Sequence, residues 1–450
     1  MKTSVFKFSN LAVARATSST GWRDGACRGL TRIRGFSPSL GPLHPGGAVI
    51  NSPKTSQIDG SWASGRPARW KLLARRQHDI IEGNFSESIQ AMPFDRITSP
   101  DDPALATLCR RLADSAAALD DHEHWPAEQL AWCGEAGVFE WFVGEEHGGQ
   151  GWSERDLVRG YLALSAACLT TTFILTQRAG ACSRIAVSTN REAQVQLLPD
   201  LLTGRTFATV GISHLTTSRQ HLARPVMRGE AAADGFVLDG YSPWVTGAEH
   251  AQTVVTGATL EDGRQILVAL PTDLPGVETP KSPKLVGLSA SHTGSLNCAR
   301  VRVERRWLLA GPVQEVMKQG AGAKTGGLQT STLAIGLAAA AIRFLLEQQE
   351  QRRDLSLPAE ALRDEQAALQ ADLLTLADGV EVCSSLELRT RANSLVLRGT
   401  QAALVAAKGA GYVVGHPAGR WCREALFFLV WSCPQGVLQS NLCELAGLAD

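Results

Sequence analysis

The sequence predicts a multi-domain α+β protein with an all-α N-terminal domain, a middle antiparallel β-barrel domain and a C-terminal four-helix bundle. Two changes of hydrophobic period predict this order. Apolar residues recur at helical spacing after Asp101, alternate between Phe207 and about Val303, and return to helical spacing afterwards. Turn signals, among them three Asp-Gly pairs, become frequent in the middle part. We therefore expect domains at residues 92–206, 207–312 and 313–450.

Residues 1–91 differ in composition from the rest of the chain. They are rich in Ser, Gly, Pro and Arg and have no sustained helical or strand period. We expect them to be disordered, or to be an over-extended start with Met92 as the functional one. An Arg- and Ser-rich, acid-poor start is also compatible with an organelle transit peptide.

The overall charge and the cysteines limit the possible partners and cofactors. Lys and Arg total 44, as do Asp and Glu, so the sequence gives no reason to expect a nucleic-acid partner. Ten cysteines are scattered without a Cys-x-x-Cys pair, which favours reduced thiols in a cytosol-like compartment and no metal site. The longest apolar run, 333–342, is about half the ~20 residues that a membrane span needs, so we expect a buried helix there.

The N-terminal domain should consist of helices with one glycine-rich loop. Leu105, Leu108 and Leu112 follow the cap signal at residues 99–103. Further helices are expected at 126–136, 155–175 and 179–188, and the loop Val-Gly-Glu-Glu-His-Gly-Gly-Gln-Gly at residues 143–151 lies between two of them.

The middle domain should contain hairpins. Asp234-Gly235, Asp239-Gly240 and Asp262-Gly263 each lie between apolar runs. The last pair separates TVVTGAT from ILVAL, as a hairpin turn does.

The C-terminal domain should contain four helices, at about 327–351, 358–393, 394–407 and 420–430. Its most distinctive stretch, GAGYVVGHPAGRWCREALFFLVWSCP, covers residues 409–434. A glycine turn, in which the missing Cβ atoms allow close approach, precedes Arg420 and Arg423, and an aromatic run then ends at Trp431 and Ser432.

This stretch resembles the C-terminal signature of the acyl-CoA dehydrogenase family, in which Gly-Gly-x-Gly-Tyr is followed by two arginines and Tyr-Glu-Gly-Thr. Residues 143–151 are similar to the family's Val-Pro-Glu-x-x-Gly-Gly-x-Gly, with Gly144 in place of proline. Residues 241–248 resemble its Trp-Ile-Thr-Asn/Gly-Ala segment. The resemblance implies FAD, or alternatively FMN, and a homodimer or homotetramer whose flavin site is built across subunits.

The resemblance also assigns cofactor residues. It implies that the Trp244 indole packs on the flavin ring, and that the Val245 backbone and the Thr246 hydroxyl bind the ring's N5 and O4 edge. Ser213 would line the flavin. Arg352 would reach the pyrophosphate bound by a neighbouring subunit, and Gly409 and Gly411 would lie over the adenylate half.

The residues implied for substrate binding and proton removal differ from the family pattern. The family serine that holds the CoA pantetheine corresponds to Arg219, and Trp431 and Ser432 would face the substrate. The family's catalytic glutamate corresponds to Ser432. Some members place it instead on the first bundle helix, at about residues 326–328, where this chain has no carboxylate.

Other residues could supply the missing base. His214 and His221 titrate near neutrality, although a loop histidine of this kind is more often simply solvated. Cys433 would need an electropositive setting, and a buried structural thiol is the alternative. Glu424 reads as an ion-pair partner rather than as a relocated base.

The resemblance therefore implies a flavin-dependent oxidoreductase that oxidises an acyl-CoA or a related small molecule at a CH–CH bond, with the flavin as hydride acceptor. A monooxygenase of the same fold, using reduced flavin and oxygen, is an alternative because such enzymes lack the glutamate. A catalytically inactive flavin-binding relative is another. An electron-transfer or reductase protein would be the partner, and the location would be the cytoplasm, or an organelle matrix if the N-terminal segment is a transit peptide.

Overall fold

The computed structural model describes residues 94–120, 124–216, 224–319 and 327–448. All of them belong to one compact unit that spans Ile89–Asp450. The segment 1–91 and its expected disorder, the substrate residue Arg219 and the candidate His221 lie outside the described residues.

The N-terminal part is helical, as predicted. Its helices are α1 (Pro103–Ser115), α2 (Ala127–Glu135), α3 (Glu154–Ala167), α4 (Leu169–Ala186) and α5 (Arg191–Leu202). The side chains of Asp102, Ser153 and Asn190 cap the N-termini of α1, α3 and α5 by accepting backbone N–H bonds. The single helix expected at 155–175 was wrong, because Cys168 adopts an extended conformation (φ −154°, ψ 104°) that separates α3 from α4.

The middle part is an eight-stranded sheet followed by the C-terminal helices. Its strands are β1 (Ala208–Gly211), β2 (Met227–Ala232), β3 (Gly235–Thr246), β4 (Thr253–Leu260), β5 (Gln265–Pro271), β6 (Val277–Glu278), β7 (Thr293–Glu304) and β8 (Leu308–Val313). The strand order is β6-β7-β3-β2-β4-β5-β8, with β1 paired to β4. One helical turn, α6 (Ser213–Thr216), follows β1.

Most strand pairs are antiparallel, as predicted, but two are not. The β4–β5 hairpin turns at Gly263, whose φ of +83° suits a residue without a Cβ. The pairs β1–β4 and β2–β4 are parallel, so the sheet is mixed. These parallel pairs join strands that are distant in sequence, and a turn signal reports only strands adjacent along the chain.

The C-terminal part contains α7 (Gln329–Gln349), α8 (Ser356–Ala377), α9 (Ser385–Ala407), α10 (Pro417–Ala425) and α11 (Gln435–Leu445). The expected division between residues 393 and 394 was wrong. The chain instead leaves α8 at Asp378 and turns at Gly379 (φ +80°), and Ser384 caps α9.

Three hydrophobic cores correspond to the three parts of the fold. One lies among α1, α2 and their neighbours, one around the sheet, and one among the C-terminal helices. Within the described residues one helix, α7, is long and apolar enough to cross a membrane, and 72% of its apolar window is buried inside the protein. Burial by α3 and α9 accounts for this apolar composition, which agrees with the expectation of a buried helix.

Candidate functional site

A cavity of about 1310 Å³ lies between the sheet and the two sets of helices. Its wall includes five of the residues predicted for cofactor or substrate binding: Ser213, Trp244, Thr246, Trp431 and Ser432. These residues come from segments that are up to about 220 positions apart in the chain. The fold therefore brings the predicted flavin loop and the C-terminal signature to one site.

Trp244 forms part of the wall on the sheet side. It lies at a register shift in β3, between Ser242 and Val245, and has a φ of +59°, which is rare for a large residue. Its side chain is 59% exposed, whereas Val245 and Thr246 beside it are buried. A bulge thus presents a flat aromatic surface to the cavity while the following residues remain fixed in the sheet.

The Thr246 hydroxyl belongs to a chain of three hydroxyl groups. It lies 3.0 Å from the Thr293 hydroxyl, which lies 2.8 Å from that of Ser291. All three residues are buried and all three line the cavity. Thr293 and Ser291 were missed by the sequence analysis, because the pairing of Thr246 with Thr293 joins strands 47 residues apart.

Ser213 and His214 are neighbours on α6 but have different surroundings. The Ser213 hydroxyl donates to the Pro243 carbonyl at 2.8 Å and lines the cavity. His214 is buried between Ser242 (3.2 Å) and the Gly257 carbonyl (2.9 Å) and is not part of the cavity wall. Burial lowers its pKa from 6.5 to about 4. Both interpretations of His214, as an acid or base and as a solvated loop residue, are therefore corrected, because the residue is buried and joins α6 to the sheet.

An aromatic cluster forms the opposite wall. The Trp431 ring stacks on Phe427 with centroids 4.9 Å apart and meets Phe173 edge to face at 5.1 Å. The buried Arg389 donates to the Trp431 carbonyl at 2.9 Å, and burial lowers its pKa to about 10. Ser432 follows with a φ of +46° and lines the cavity. The Arg389 hydrogen bond thus fixes the backbone at Trp431, and the next residue, Ser432, faces the cavity.

Cys433 does not line the cavity, although it follows Ser432 directly. It is half-buried, and burial raises its pKa, although the nearby Arg389 acts in the opposite direction. A thiol that keeps its proton is a poor base. The structure therefore favours the structural alternative for Cys433.

The described part of the cavity wall carries two carboxylates, Glu146 and Glu154, and both residues are exposed to solvent. The start of α7 contributes Gln329, Thr330 and Thr332 instead of an acid. The first position at which the family resemblance implies a base is therefore Ser432, and of the second position Gly327 and Leu328 line the cavity without a carboxylate.

Two ion pairs involve residues of α10. Arg423, which lines the cavity, contacts Asp120 from the N-terminal helices. Arg420 pairs with the buried Glu424 at 3.7 Å. Burial raises the pKa of Glu424 to about 7, although Arg420 opposes this shift. Glu424 is not part of the cavity wall, which supports its interpretation as an ion-pair partner.

The residues predicted for the distal half of the cofactor form a separate group outside this cavity. Arg352 donates to the Ala406 carbonyl at 2.8 Å and pairs with Asp354 at 3.2 Å. Ala406 lies two residues before the short 3₁₀ segment Lys408–Tyr412, which contains Gly409 and Gly411. The structure thus brings Arg352 close to the glycine turn, and none of these residues lines the cavity. A site shared between subunits remains a prediction.

Two further residues of the cavity wall were not predicted. Tyr161 on α3 is buried, its ring stacks on Phe142 at 5.3 Å, and burial raises the pKa of its hydroxyl well above 10. Arg184 on α4 is buried beside Gly180, whose carbonyl accepts a bond from it at 2.8 Å, and burial lowers its pKa to about 10. Neither residue belongs to a local motif, so the sequence offered no signal for either.

The residues present fit a flavin. An isoalloxazine ring needs an apolar face and a few fixed hydrogen-bonding groups at its polar edge. Trp244 supplies an exposed aromatic face, and the Thr246 hydroxyl lies two residues away in a rigid strand. Among the described residues, by contrast, no group of three or more His, Cys, Asp or Glu side chains is placed to hold a metal ion.

Comparisons with known proteins agree with this geometry. The family model for the N-terminal domain of acyl-CoA dehydrogenases matches residues 102–205. A probable acyl-CoA dehydrogenase of Bacillus subtilis is 23% identical over 343 residues, which cover 70% of this chain and 88% of that protein. The glutaryl-CoA dehydrogenase of Desulfococcus multivorans is 24% identical over 372 residues, covering 75% and 91%.

A solved structure gives the same result for the fold. The glutaryl-CoA dehydrogenase of Mycobacterium smegmatis in complex with FADH2 superposes with a TM-score of 0.66 at 16% identity, covering 77% of this chain and 95% of that one. The structural likeness shows the fold, and the family model together with the sequence matches assigns the chain to the acyl-CoA dehydrogenase family.

Proposed function

We propose that this protein is a flavin-dependent oxidoreductase that oxidises an acyl-CoA, or a related small molecule, at a CH–CH bond. The observation that carries the proposal is the pairing of an exposed Trp244 with a buried Thr246 across a cavity from Trp431 and Ser432. FAD, when bound, would supply the hydride acceptor. FMN is the alternative cofactor.

In this proposal the sheet residues hold and orient the cofactor. Trp244 would cover one face of the ring, and the Thr246 hydroxyl and the Val245 backbone would bind its polar edge. Ser213 would line the same site, because its hydroxyl is bonded to the Pro243 carbonyl next to Trp244. The aromatic cluster of Phe173, Phe427 and Trp431 excludes water from the opposite side.

Proton removal distinguishes two candidate reactions. Dehydrogenation needs a base for one carbon while the cofactor accepts hydride from the other, and a serine hydroxyl does not act as such a base unassisted. Losing a general base typically lowers a rate by ~10² to 10⁴. Ser432 therefore favours a second candidate, a monooxygenase of this fold that uses reduced flavin and oxygen and needs no carboxylate at this position.

The proposal includes partners and a location. Arg352, Gly409 and Gly411 lie together away from the cavity, which supports a homodimer or homotetramer in which each copy completes its neighbour's cofactor site. An electron-transfer protein would reoxidise a dehydrogenase, and a reductase would serve a monooxygenase.

We propose the cytoplasm as the location of the protein, with an organelle matrix as the alternative. A fluorescent fusion of the full chain in its host tests this proposal, and an exported protein would contradict it.

The test begins with the purified full chain. Its absorbance spectrum, and mass spectrometry of the extracted cofactor, should reveal FAD. Acyl-CoA esters of different chain length are then added without oxygen. Bleaching of the flavin supports the dehydrogenase, whereas oxygen consumption only after chemical reduction supports the monooxygenase. A colourless protein that takes up neither FAD nor FMN contradicts both.

A further inference from the structure

The hydroxyl groups of Ser291, Thr293 and Thr246 form a hydrogen-bonded row in the cavity wall, here called the hydroxyl chain. The distances along it are 2.8 and 3.0 Å, both typical of hydrogen bonds between hydroxyl groups. Each of the three residues is at most 7% exposed. A buried hydroxyl without a partner costs free energy, so such a chain is a fixed part of the structure.

The backbone holds the hydroxyl chain rigidly. Thr246 ends β3 and Thr293 begins β7, and the two residues are directly opposite each other in the antiparallel pair. The N–H of Gly247 also donates to the Ser291 carbonyl at 3.0 Å. His292 lies between Ser291 and Thr293, has a φ of +44° and directs the backbone into β7. The spacing of the three oxygens is therefore set by the sheet and its entry turn.

The chemistry of hydroxyl groups makes this chain reversible. Each hydroxyl has one proton to donate and can also accept a bond. In one direction the protons point from Ser291 through Thr293 to Thr246, and Thr246 then donates into the cavity. In the other direction Thr246 donates to Thr293 and has an acceptor oxygen for the cavity. The geometry of the chain allows either atom of each pair to be the donor.

We propose that Ser291 and Thr293 are positioning residues that let Thr246 change between donor and acceptor as the bound cofactor changes its redox state. This rests on the proposed flavin function. An oxidised ring edge presents a nitrogen that accepts a hydrogen bond, and a reduced edge presents an N–H that donates one. The hydroxyl chain satisfies both states without moving a heavy atom, because only hydroxyl protons rotate.

The proposal makes a prediction with a direction. In Thr293→Val the Thr246 proton loses its acceptor in the hydroxyl chain and is therefore directed into the cavity. The oxidised cofactor keeps its hydrogen bond, whereas the reduced cofactor faces a second donor. One hydrogen bond of about 1 kcal/mol corresponds to roughly a five- to tenfold change in affinity. We therefore expect the reduced form to bind roughly five- to tenfold more weakly relative to the oxidised form, seen as a lower midpoint potential.

The experiment compares full-length wild type, Thr293→Val and Thr293→Ser by flavin titration and by spectroscopic redox titration. Valine keeps the shape of threonine, and serine restores the hydroxyl, so the midpoint potential of Thr293→Ser should stay near that of wild type. Ser291→Ala, at the far end of the chain, should shift the midpoint in the same direction by less. Circular dichroism checks the fold, and Ser291→Ala decides the question if the valine variant does not fold.

Three outcomes overturn the proposal. Equal midpoint potentials in wild type and Thr293→Val would show that the hydroxyl chain does not act on the cofactor. A shift of equal size in Thr293→Ser would show that side-chain shape, and not the hydroxyl, matters. A wild-type protein that binds no flavin would refute the proposed function, and this inference with it; flavin binding with an unchanged potential refutes the inference alone.

Discussion

The two walls of the cavity differ in how far they follow the family pattern. On the sheet side the wall keeps the predicted elements, with Trp244 on a bulge and Thr246 buried in a rigid strand. On the helical side the framework is present, but Ser432 stands where the family pattern has an acid, and residues 326–328, the alternative position, carry no carboxylate. One wall of a site can therefore keep the side chains of the family pattern while the other wall loses its acid, because the sheet positions the first set of residues and the helix bundle positions the second.

The largest expected effect comes from returning an acid to the helical wall. In Ser432→Glu we expect acyl-CoA to bleach the flavin ~10² to 10⁴ times faster than in wild type, because a general base is restored. Ser432→Gln is the matched control, since it carries the same backbone strain at a φ of +46° without the charge. Stopped-flow absorbance without oxygen measures the rate. If acyl-CoA bleaches the flavin equally slowly in both variants, the missing carboxylate at residue 432 is not the only departure of the helical wall from the family pattern.

The second prediction concerns the sheet side. His214 has a pKa lowered to about 4 by burial, so the folded state binds fewer protons than the unfolded state between about pH 4 and 6.5. The free energy of unfolding should therefore fall by roughly 3 kcal/mol as the pH drops through this range. In His214→Gln that loss should be absent, although the variant is less stable at pH 7. Urea unfolding at several pH values is the measurement, and an unchanged pH slope would contradict the prediction.

The third prediction concerns the helical side, where the sign is opposite. Glu424 has a pKa raised to about 7, so the folded state holds its proton more tightly than the unfolded state between about pH 4.5 and 7. The free energy of unfolding should therefore fall as the pH rises through this range, by an amount similar to that at His214, because the two pKa values move equally far from their ordinary values. Glu424→Gln should remove this slope in the same unfolding experiment. A slope that persists would place the titrating group elsewhere.

The smallest expected effect is at the glycine-rich loop. Gly144 stands where the family has proline and has φ −65° and ψ 158°, which proline adopts without strain. Gly144→Pro should therefore raise stability by about 0.4–1 kcal/mol. The Glu146 carboxylate, which now lies within 2.2 Å of where a Cβ would be, is exposed and can move. Gly148→Pro is the control and should destabilise, because Gly148 has a φ of +83°. Thermal unfolding measures both; a destabilised Gly144→Pro would show that the Glu146 position matters.

The sequence predicted the parts of the molecule whose signals are local. The order of helices and strands, the Gly263 hairpin and the capped start of α1 follow from period, turn residues and caps. The break at Cys168 was missed because no Gly or Pro marks it. The parallel pairs of β4 were missed because pairing between distant strands leaves no mark in either strand.

The same distinction applies to the site. Trp244, Thr246 and Ser432 could be proposed because each lies in a recognisable motif. The position of His214 was not predictable, since only the fold shows that α6 turns it toward Gly257 and away from the cavity. Thr293 becomes relevant only through its register opposite Thr246. A single sequence identifies motifs, whereas the partners that tune them come from tertiary contacts.

The cavity wall begins near Trp141 and ends at Ser432, and Asp120 contacts Arg423 across most of the chain length. Domains generally fold as units while the chain leaves the ribosome, the N-terminal ones first. A nascent chain of this protein therefore exposes the apolar faces of α3 and α4 until its final helices have been made. A message cut short before codon 432 would yield a product with one side of its pocket open to water, and such a product should be a target for chaperones and proteases.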